Sequence, residues 1–262
     1  MKKYKLSESF SALAVAGLLT MPTQAALIGH WAFDEGTGAT AADSSGGGND
    51  GAISNATWGS DATRDSYLSF NGTTSVVDPS VSLPVMTSTN DFTWAVWVNS
   101  QAAINGTQQN AILLGNRGDG NNADIPSTAM RQFIKFTPTK FEWHQNANGN
   151  DNQEYDDLVV GEWTHIAVVK TGTSVQLYRN GVASGAAGTL NESLADAVAL
   201  PFYIGGETNE TSQNEFFTGF IDDVRLYDNA LTAAEVSALV IPEPSSVALT
   251  FLGLGLLARR RR

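Results

Sequence analysis

Short apolar runs separated by turn residues extend from residue 27 to about residue 227. Residues 92–98 (FTWAVWV) are apolar at odd and even positions alike, which is typical of a central strand covered on both faces. Gly is abundant and only 16% of the residues are charged, a composition that favours strands and tight turns over long helices. The pattern predicts a single all-β domain.

Turn residues and capping residues place further elements within this domain. Residues 163–170 and 175–178 are predicted strands joined through Thr171-Gly172-Thr173-Ser174, and Asn180-Gly181 predicts the next tight turn. Other strands are predicted at residues 27–34, where Trp31 and Phe33 share one face, and at residues 201–205 and 220–227. A single short helix is predicted at residues 232–239, because Thr232 can cap it and Glu235 follows three residues later.

The first 25 residues have the pattern of a secretory signal peptide. Lys2, Lys3 and Lys5 form a basic head, residues 10–21 are apolar, and Thr23-Gln24-Ala25 supplies the small residues of a cleavage site. We therefore expect signal peptidase to remove residues 1–25 and the remainder to be exported.

The last 22 residues, 241–262, form a three-part tail. Pro242-Glu243-Pro244 precedes an apolar stretch at residues 247–258, and Arg259, Arg260, Arg261 and Arg262 follow at once. Twelve apolar residues make about 18 Å of helix, short for a bilayer core of about 30 Å, which favours transient inner-membrane anchoring by a C-terminal hydrophobic helix. The tail resembles the PEP-CTERM sorting signal of Gram-negative bacteria. That resemblance implies processing by an exosortase and delivery to the cell envelope, the outer surface or an extracellular matrix.

Charge and cysteine content exclude several classes of function. The signal segment contributes a net +2 and the tail arginines +4, so the −12 of the whole chain becomes −18 for residues 26–258. A domain this acidic repels phosphates, which argues against a nucleic acid as partner. The chain has no cysteine, which excludes disulfides, thiolate zinc sites and cysteine catalysis.

Four sequence blocks identify the domain more closely. They are residues 30–51 (HWAFDEGTGATAADSSGGGNDG), 91–98 (DFTWAVWV), 162–181 (EWTHIAVVKTGTSVQLYRNG) and 217–236 (FTGFIDDVRLYDNALTAAEV). In this order they resemble the LamG-like (laminin G type, concanavalin A-like) domain of bacterial surface proteins. The resemblance implies a two-sheet antiparallel jelly-roll sandwich over residues 26–240.

Oxygen-bearing side chains in and near the first block suggest a calcium site. Asp43 and Asn49 lie in a glycine-rich loop, Asp34 precedes it, and Asp222 shares the parity of the apolar residues Phe220, Val224 and Leu226, which predicts that it faces inward. Oxygen ligands on a flexible loop suit calcium, and LamG-like domains frequently bind it. The alternative remains open that Asp43 caps a turn and Asp222 bonds to backbone amides.

Two polar loops are candidates for contact with a ligand. Asp119 and Asn121 belong to residues 116–124, while Asn146 lies between Trp143 and Tyr155 at residues 145–157. Amides and carboxylates bond to sugar hydroxyls, and the two aromatic rings are candidates to stack on a sugar ring. Solvated loops flanked by core aromatic residues are the alternative.

Catalytic patterns known on this fold are incomplete in the sequence. The ExDxxE pattern of related glucanases fails because residues 154–159 (EYDDLV) end on Val159 instead of a carboxylate. Neither a Gln-x-His strand nor a GxSxG turn occurs. Five tryptophans are predicted to be core residues rather than sugar platforms: Trp31, Trp58, Trp94, Trp97 and Trp163.

These observations predict a non-catalytic, exosortase-sorted surface or matrix protein that binds carbohydrate or a surface protein. A polysaccharide-degrading enzyme and a purely structural matrix component are the alternatives, because a fold alone does not fix a function.

Overall fold

The chain folds into two packed antiparallel sheets. The computed structural model describes residues 26–80, 91–101, 111–115, 132–136, 141–145, 153–155, 159–189, 202–206 and 216–241, which contain sixteen strands and one helix. The signal segment and the sorting tail lie outside these residues and stay predictions. The two-sheet sandwich predicted from the sequence is confirmed.

Sheet A runs in the order β14-β13-β12-β7-β16-β5-β4, and β1 also pairs with β16. Its strands are β1 (Leu27–Trp31), β4 (Thr57–Gly59), β5 (Tyr67–Asn71), β7 (Phe92–Ser100), β12 (Thr164–Thr171), β13 (Ser174–Arg179), β14 (Val182–Thr189) and β16 (Thr218–Tyr227).

Sheet B runs in the order β11-β10-β9-β8-β15-β6-β3-β2. Its strands are β2 (Thr40–Ala41), β3 (Gly51–Ser54), β6 (Val76–Asp78), β8 (Ala111–Gly115), β9 (Gln132–Phe136), β10 (Phe141–Gln145), β11 (Gln153–Tyr155) and β15 (Tyr203–Ile204).

The core lies between the sheets and is rich in aromatic residues. Trp94 of β7 meets Trp143 of β10 edge to face, with ring centroids 5.2 Å apart, and Phe92 and Phe202 pack on the same group. β7 lies between β12 and β16 and is buried at every position except Trp97, as its double apolar pattern predicts. Trp31 and Phe33 are both fully buried in this core, as predicted. The strand itself is shorter than the predicted 27–34, because β1 ends at Trp31 and Phe33 has a left-handed backbone with φ +55°.

A short helix covers part of the outer face of sheet A. Helix α1 (Ala233–Ala238) begins at a capping box, in which the Thr232 side chain accepts from the Glu235 amide and the Glu235 side chain accepts from the Thr232 amide. Val236 of α1 is buried in a second apolar cluster with Ala95, Ala167 and Tyr178 of sheet A. This helix explains why the apolar residues of β7 and β12 continue onto the face away from the core.

A bulge in β16 overturns the predicted direction of Asp222. The register with β7 shifts between Asp222 and Arg225, and Asp223 takes a left-handed backbone conformation with φ +49°. Ile221 and Val224 both point into the core, so Asp222 and Phe220 face outward instead of sharing the face of Val224. The prediction was wrong because one extra residue in a strand reverses the alternation of side chains beyond it.

Within the residues given above, no helix is long and apolar enough to span a membrane.

Candidate functional site

The outer face of sheet A carries an aromatic group around one arginine, which we call the Arg64 platform: Arg64 with Tyr67, Trp97, Trp163 and Phe220. The Arg64 guanidinium lies 4.0 Å from the Trp97 ring centroid and 5.6 Å from that of Trp163, within cation–π range. Tyr67 stacks on Phe220 at 4.6 Å and contacts Trp163 at 5.4 Å. Trp97, Trp163 and Phe220 remain partly exposed, so aromatic surface is available to a ligand.

A short loop positions Arg64. The Asp61 carboxylate accepts from the backbone amides of Thr63 and Arg64 through Oδ1, and from the Trp163 indole N–H through Oδ2 at 2.8 Å. Partial burial would raise the pKa of Asp61, but these hydrogen bonds lower it. One ionised carboxylate therefore ties the loop to the rim of the platform.

Asp222 lies under the platform and pairs with its arginine. The Arg64 Nη1 donates to Asp222 Oδ2 at 3.0 Å, and the two side chains are only 13% and 5% exposed. Asp222 Oδ1 is buried and has no hydrogen-bond partner among the described residues. Burial raises the pKa of Asp222 to about 8, although the Arg64 charge lowers it. Asp222 therefore binds a proton near neutral pH.

His165 lies across Trp97 from Asp222, since both residues are opposite Trp97 in the strand register. Its ring packs on Trp97 at 5.4 Å, and burial lowers its pKa to about 4. Its Nδ1 is also buried with no partner in the described part of the chain. A neutral histidine, a largely protonated carboxyl group and one arginine thus lie under or beside the aromatic rings.

Next to this surface, Ser44, His30, Asp223 and Arg225 form a second polar group, which we call the His30 chain. His30 Nε2 lies 2.8 Å from Asp223 Oδ1, and His30 Nδ1 lies 2.7 Å from the Ser44 hydroxyl. Arg225 Nε donates to Asp223 Oδ1 at 2.7 Å. Burial would raise the pKa of Asp223, but the His30 hydrogen bond and the Arg225 charge lower it. Asp223 is therefore the ionised member of the bulge pair.

The glycine-rich loop is folded around Asp43. Asp43 Oδ1 accepts from the amides of His30 and Ser45, and Oδ2 accepts from the amide of Asn49. Partial burial would raise the pKa of Asp43, but hydrogen bonds from Ser45, Asn49 and His30 lower it. Asp43 therefore caps its own loop. This role is the alternative to calcium binding that the sequence left open.

The four residues predicted to bind calcium do not come together in one group. Asp43 and Asn49 share the loop, Asp222 pairs with Arg64, and Asp34 is an exposed residue near Asp223. Across the described residues, no group of three or more His, Cys, Asp or Glu side chains is arranged to hold a metal ion. Both Asp43 oxygens accept from backbone amides and Asp222 pairs with Arg64 through Oδ2, so this set does not fit a coordination sphere, and calcium binding stays a prediction.

Among the predicted ligand-contacting residues, Trp143 is fully buried in the core, so its assignment as a surface platform is wrong. It fills the space between the sheets against Phe92 and Trp94. Asp119, Asn121 and Asn146 lie outside the described residues, and Tyr155 is described only as backbone in β11.

Two tryptophans assigned to the core lie instead on the platform. Trp31 and Trp94 are core residues as predicted, but Trp97 and Trp163 are on the outer face. The sequence does indicate that Trp94 and Trp97 cannot both be core residues. They are three residues apart in β7 and must face opposite sides of a regular strand. The pairing of Arg64 with Asp222 could not be predicted in this way, since the two residues are 158 positions apart in the sequence.

Two antiparallel sheets packed around an aromatic core define a two-sheet β-sandwich of the jelly-roll type. The sequence model of the concanavalin A-like lectin/glucanases superfamily matches residues 70–237, well over half of the chain. The chain belongs to this superfamily. Among curated proteins, none matches its sequence.

Solved structures share the fold at low sequence identity. Domain 4 of AbnA, a GH43 extracellular arabinanase from Geobacillus stearothermophilus, solved in complex with arabinotriose, has a TM-score of 0.61 and 21% identity, covering 83% of this chain and 99% of that domain. The binding domain of Paraclostridial Mosquitocidal Protein 1 gives 0.60 and 15%, covering 82% of this chain and 51% of that one. Trypanosoma rangeli sialidase in complex with sialic acid gives 0.57 and 16%, covering 82% and 32%. The chain thus spans about half of the mosquitocidal domain and a third of the sialidase.

Proposed function

We propose that this protein is an exported, exosortase-sorted surface or matrix protein whose sandwich recognises carbohydrate through the Arg64 platform. The observation that carries the proposal is the partly exposed aromatic surface of Trp163 and Phe220, held in place by Arg64 and Asp61. Aromatic faces stack on the C–H faces of sugar rings, and specificity then comes from a few polar groups at the edge of the surface. Glu162, exposed beside Trp163, is one such group.

Support also comes from the superfamily and from one structural neighbour. The superfamily includes lectins and glucanases, and the arabinanase domain was solved with a bound oligosaccharide. The ExDxxE pattern is absent from the sequence, which favours recognition over cleavage of glycosidic bonds. The polar loops with Asp119, Asn121, Asn146 and Tyr155 supply further contacts in this proposal.

Replacing the Trp163 side chain tests the proposal. The purified protein is applied to a glycan array with calcium and again with EDTA, and a bound glycan is then titrated against the Trp163→Ala and Phe220→Ala variants. We expect Trp163→Ala to weaken binding at least fivefold, since stacking and ring burial are worth about 1–3 kcal/mol and 1.4 kcal/mol corresponds to about tenfold. Val182→Ala is the matched control, because Val182 is an exposed apolar residue at the edge of sheet A.

Two outcomes would contradict this assignment. Equal affinity of the Trp163→Ala and Val182→Ala variants would place binding elsewhere on the protein. Release of reducing sugar from a polysaccharide panel by the native protein, lost in Asp222→Asn, would replace recognition with glycan cleavage.

A further inference from the structure

The His30 chain joins a serine hydroxyl, an imidazole and a carboxylate by consecutive hydrogen bonds. Ser44 is exposed, His30 and Asp223 are each about 15% exposed, and both bonds are shorter than 3 Å. The Asp223 carboxylate reaches His30 at the bulge in β16, where the Asp223 backbone has φ +49°. Serine hydroxyls activated in this way are nucleophiles in enzymes with unrelated folds.

The carboxylate determines which nitrogen of His30 carries the proton. An ionised carboxylate only accepts hydrogen bonds, so in the neutral ring Nε2 carries the hydrogen that it donates to Asp223. Nδ1 then has a free lone pair directed at the Ser44 hydroxyl, which donates to it at 2.7 Å. The His30 carbonyl, 3.2 Å from the same hydroxyl, is a longer and competing acceptor.

The surrounding backbone holds these groups in place. His30 lies opposite Arg225 in the β1–β16 pairing, so the ring and Asp223 belong to adjacent strands of one sheet. The Ser44 amide donates to the His30 carbonyl at 2.8 Å, and the His30 amide donates to Asp43. Ser44 itself is exposed, and among the described residues no atom lies within 4 Å of a Cβ added at Gly46 or Gly48 of the same loop. A small substrate can therefore reach the hydroxyl.

We propose that Ser44 is an activated nucleophile that takes an acyl group from small esters, such as O-acetyl groups of a polysaccharide. The Ser44 oxygen attacks the carbonyl carbon while its proton moves to His30 Nδ1. The ester C–O bond then breaks, and the leaving alcohol takes that proton. Water attacks the acyl-serine by the same route and releases a carboxylic acid. This activity cleaves esters and does not depend on glycan binding by the Arg64 platform.

The first test uses p-nitrophenyl acetate as the acyl donor with the purified protein. We expect release of p-nitrophenol and, at early times, one acetyl group on Ser44 found by peptide mass mapping. Ser44→Ala removes the nucleophile together with its general-base assistance, which alone contributes about a hundredfold at the low end, so we expect it to lower the release by about a hundredfold or more. Ser45→Ala is the matched control. The Ser45 hydroxyl accepts from the Gly47 amide and is not a member of the His30 chain. Equal release by the two variants would overturn the proposal.

A second test does not depend on the Ser44→Ala variant folding normally. The protein has no cysteine, so Ser44→Cys carries a single thiol. Beside His30 that thiol should react with iodoacetamide about tenfold faster than the thiol of Ser60→Cys, because an adjacent imidazole favours the thiolate. Adding His30→Gln to Ser44→Cys should remove the difference. Equal rates for the two cysteine variants, or no effect of His30→Gln, would assign the His30 chain a purely structural role.

Discussion

Asp222 is the residue whose protonation should affect folding most directly. Its pKa is about 8 in the folded protein and 3.8 for the free side chain, so between these values the unfolded chain has released a proton that the folded one keeps. Stability from this group is therefore fully present below about pH 4 and is lost as pH rises towards 8. His165 has the opposite sign, because its pKa falls from 6.5 to about 4, and its effect is confined to pH values below about 6.5.

The window from pH 6.5 to 8 thus separates the effect of Asp222 from that of His165. We expect the free energy of unfolding of the native protein to fall by about 1–2 kcal/mol across it, as measured by chemical denaturation at several pH values. Asp222→Asn keeps the shape of the side chain and removes the titration, so its curve should be flat over the same range. A native curve parallel to that of Asp222→Asn would show that Asp222 is already ionised at neutral pH.

Individual residues were predictable from the sequence where strand alternation is regular. Trp31 and Phe33 were both placed correctly in the core, although β1 ends at Trp31 and Phe33 follows it in a left-handed conformation with φ +55°. Asp222 was misplaced because a bulge leaves no mark in the apolar pattern. The His30–Asp223 contact joins residues 193 positions apart, and no local rule connects positions so distant in sequence.

At the scale of elements, local signals were sufficient for the hairpin and the helix. The β12–β13 turn and the Asn180-Gly181 turn depend on residues within four positions of each other, and both form as predicted. Several strands escaped prediction, among them the two-residue β2 and the three-residue β4. Segments this short are defined by their partners in the sheet rather than by their own sequence.

Helix α1 should depend on its capping box, since six residues are too few for a helix to be stable by itself. Thr232→Ala removes the side-chain acceptor for the Glu235 amide and should lower the free energy of unfolding by about 1 kcal/mol. Thr232→Ser keeps that acceptor and is the control. Chemical denaturation of both variants checks the difference, and an unchanged Thr232→Ala protein would mean that burial of Val236 alone holds the helix on sheet A.

Across the whole molecule, the chain repeatedly crosses between the two sheets. β5 of sheet A is followed by β6 of sheet B, β7 returns to sheet A, and β8 is again in sheet B. Neither sheet is a contiguous segment, and one aromatic core joins them. The sequence blocks were sufficient to predict this sandwich because the topology belongs to the superfamily. Of the two predicted ligand loops, residues 116–124 and most of residues 145–157 lie outside the described residues.

This topology leads us to expect that the two sheets unfold together. Trp143 of sheet B packs edge to face on Trp94 of sheet A, so either sheet loses its core when the other separates. Unfolding followed by far-ultraviolet circular dichroism, which reports strands, and by tryptophan fluorescence, which reports the packing of the core and of the Arg64 platform, should give coincident transitions. Trp143→Ala should lower the free energy of unfolding by about 3–5 kcal/mol and shift both transitions equally, because the cavity lies between the sheets. Val182→Ala, at the exposed edge of sheet A, should shift neither. If Trp143→Ala instead separates the two transitions, sheet A would be stable without sheet B, and the Arg64 platform would not need the complete sandwich to form.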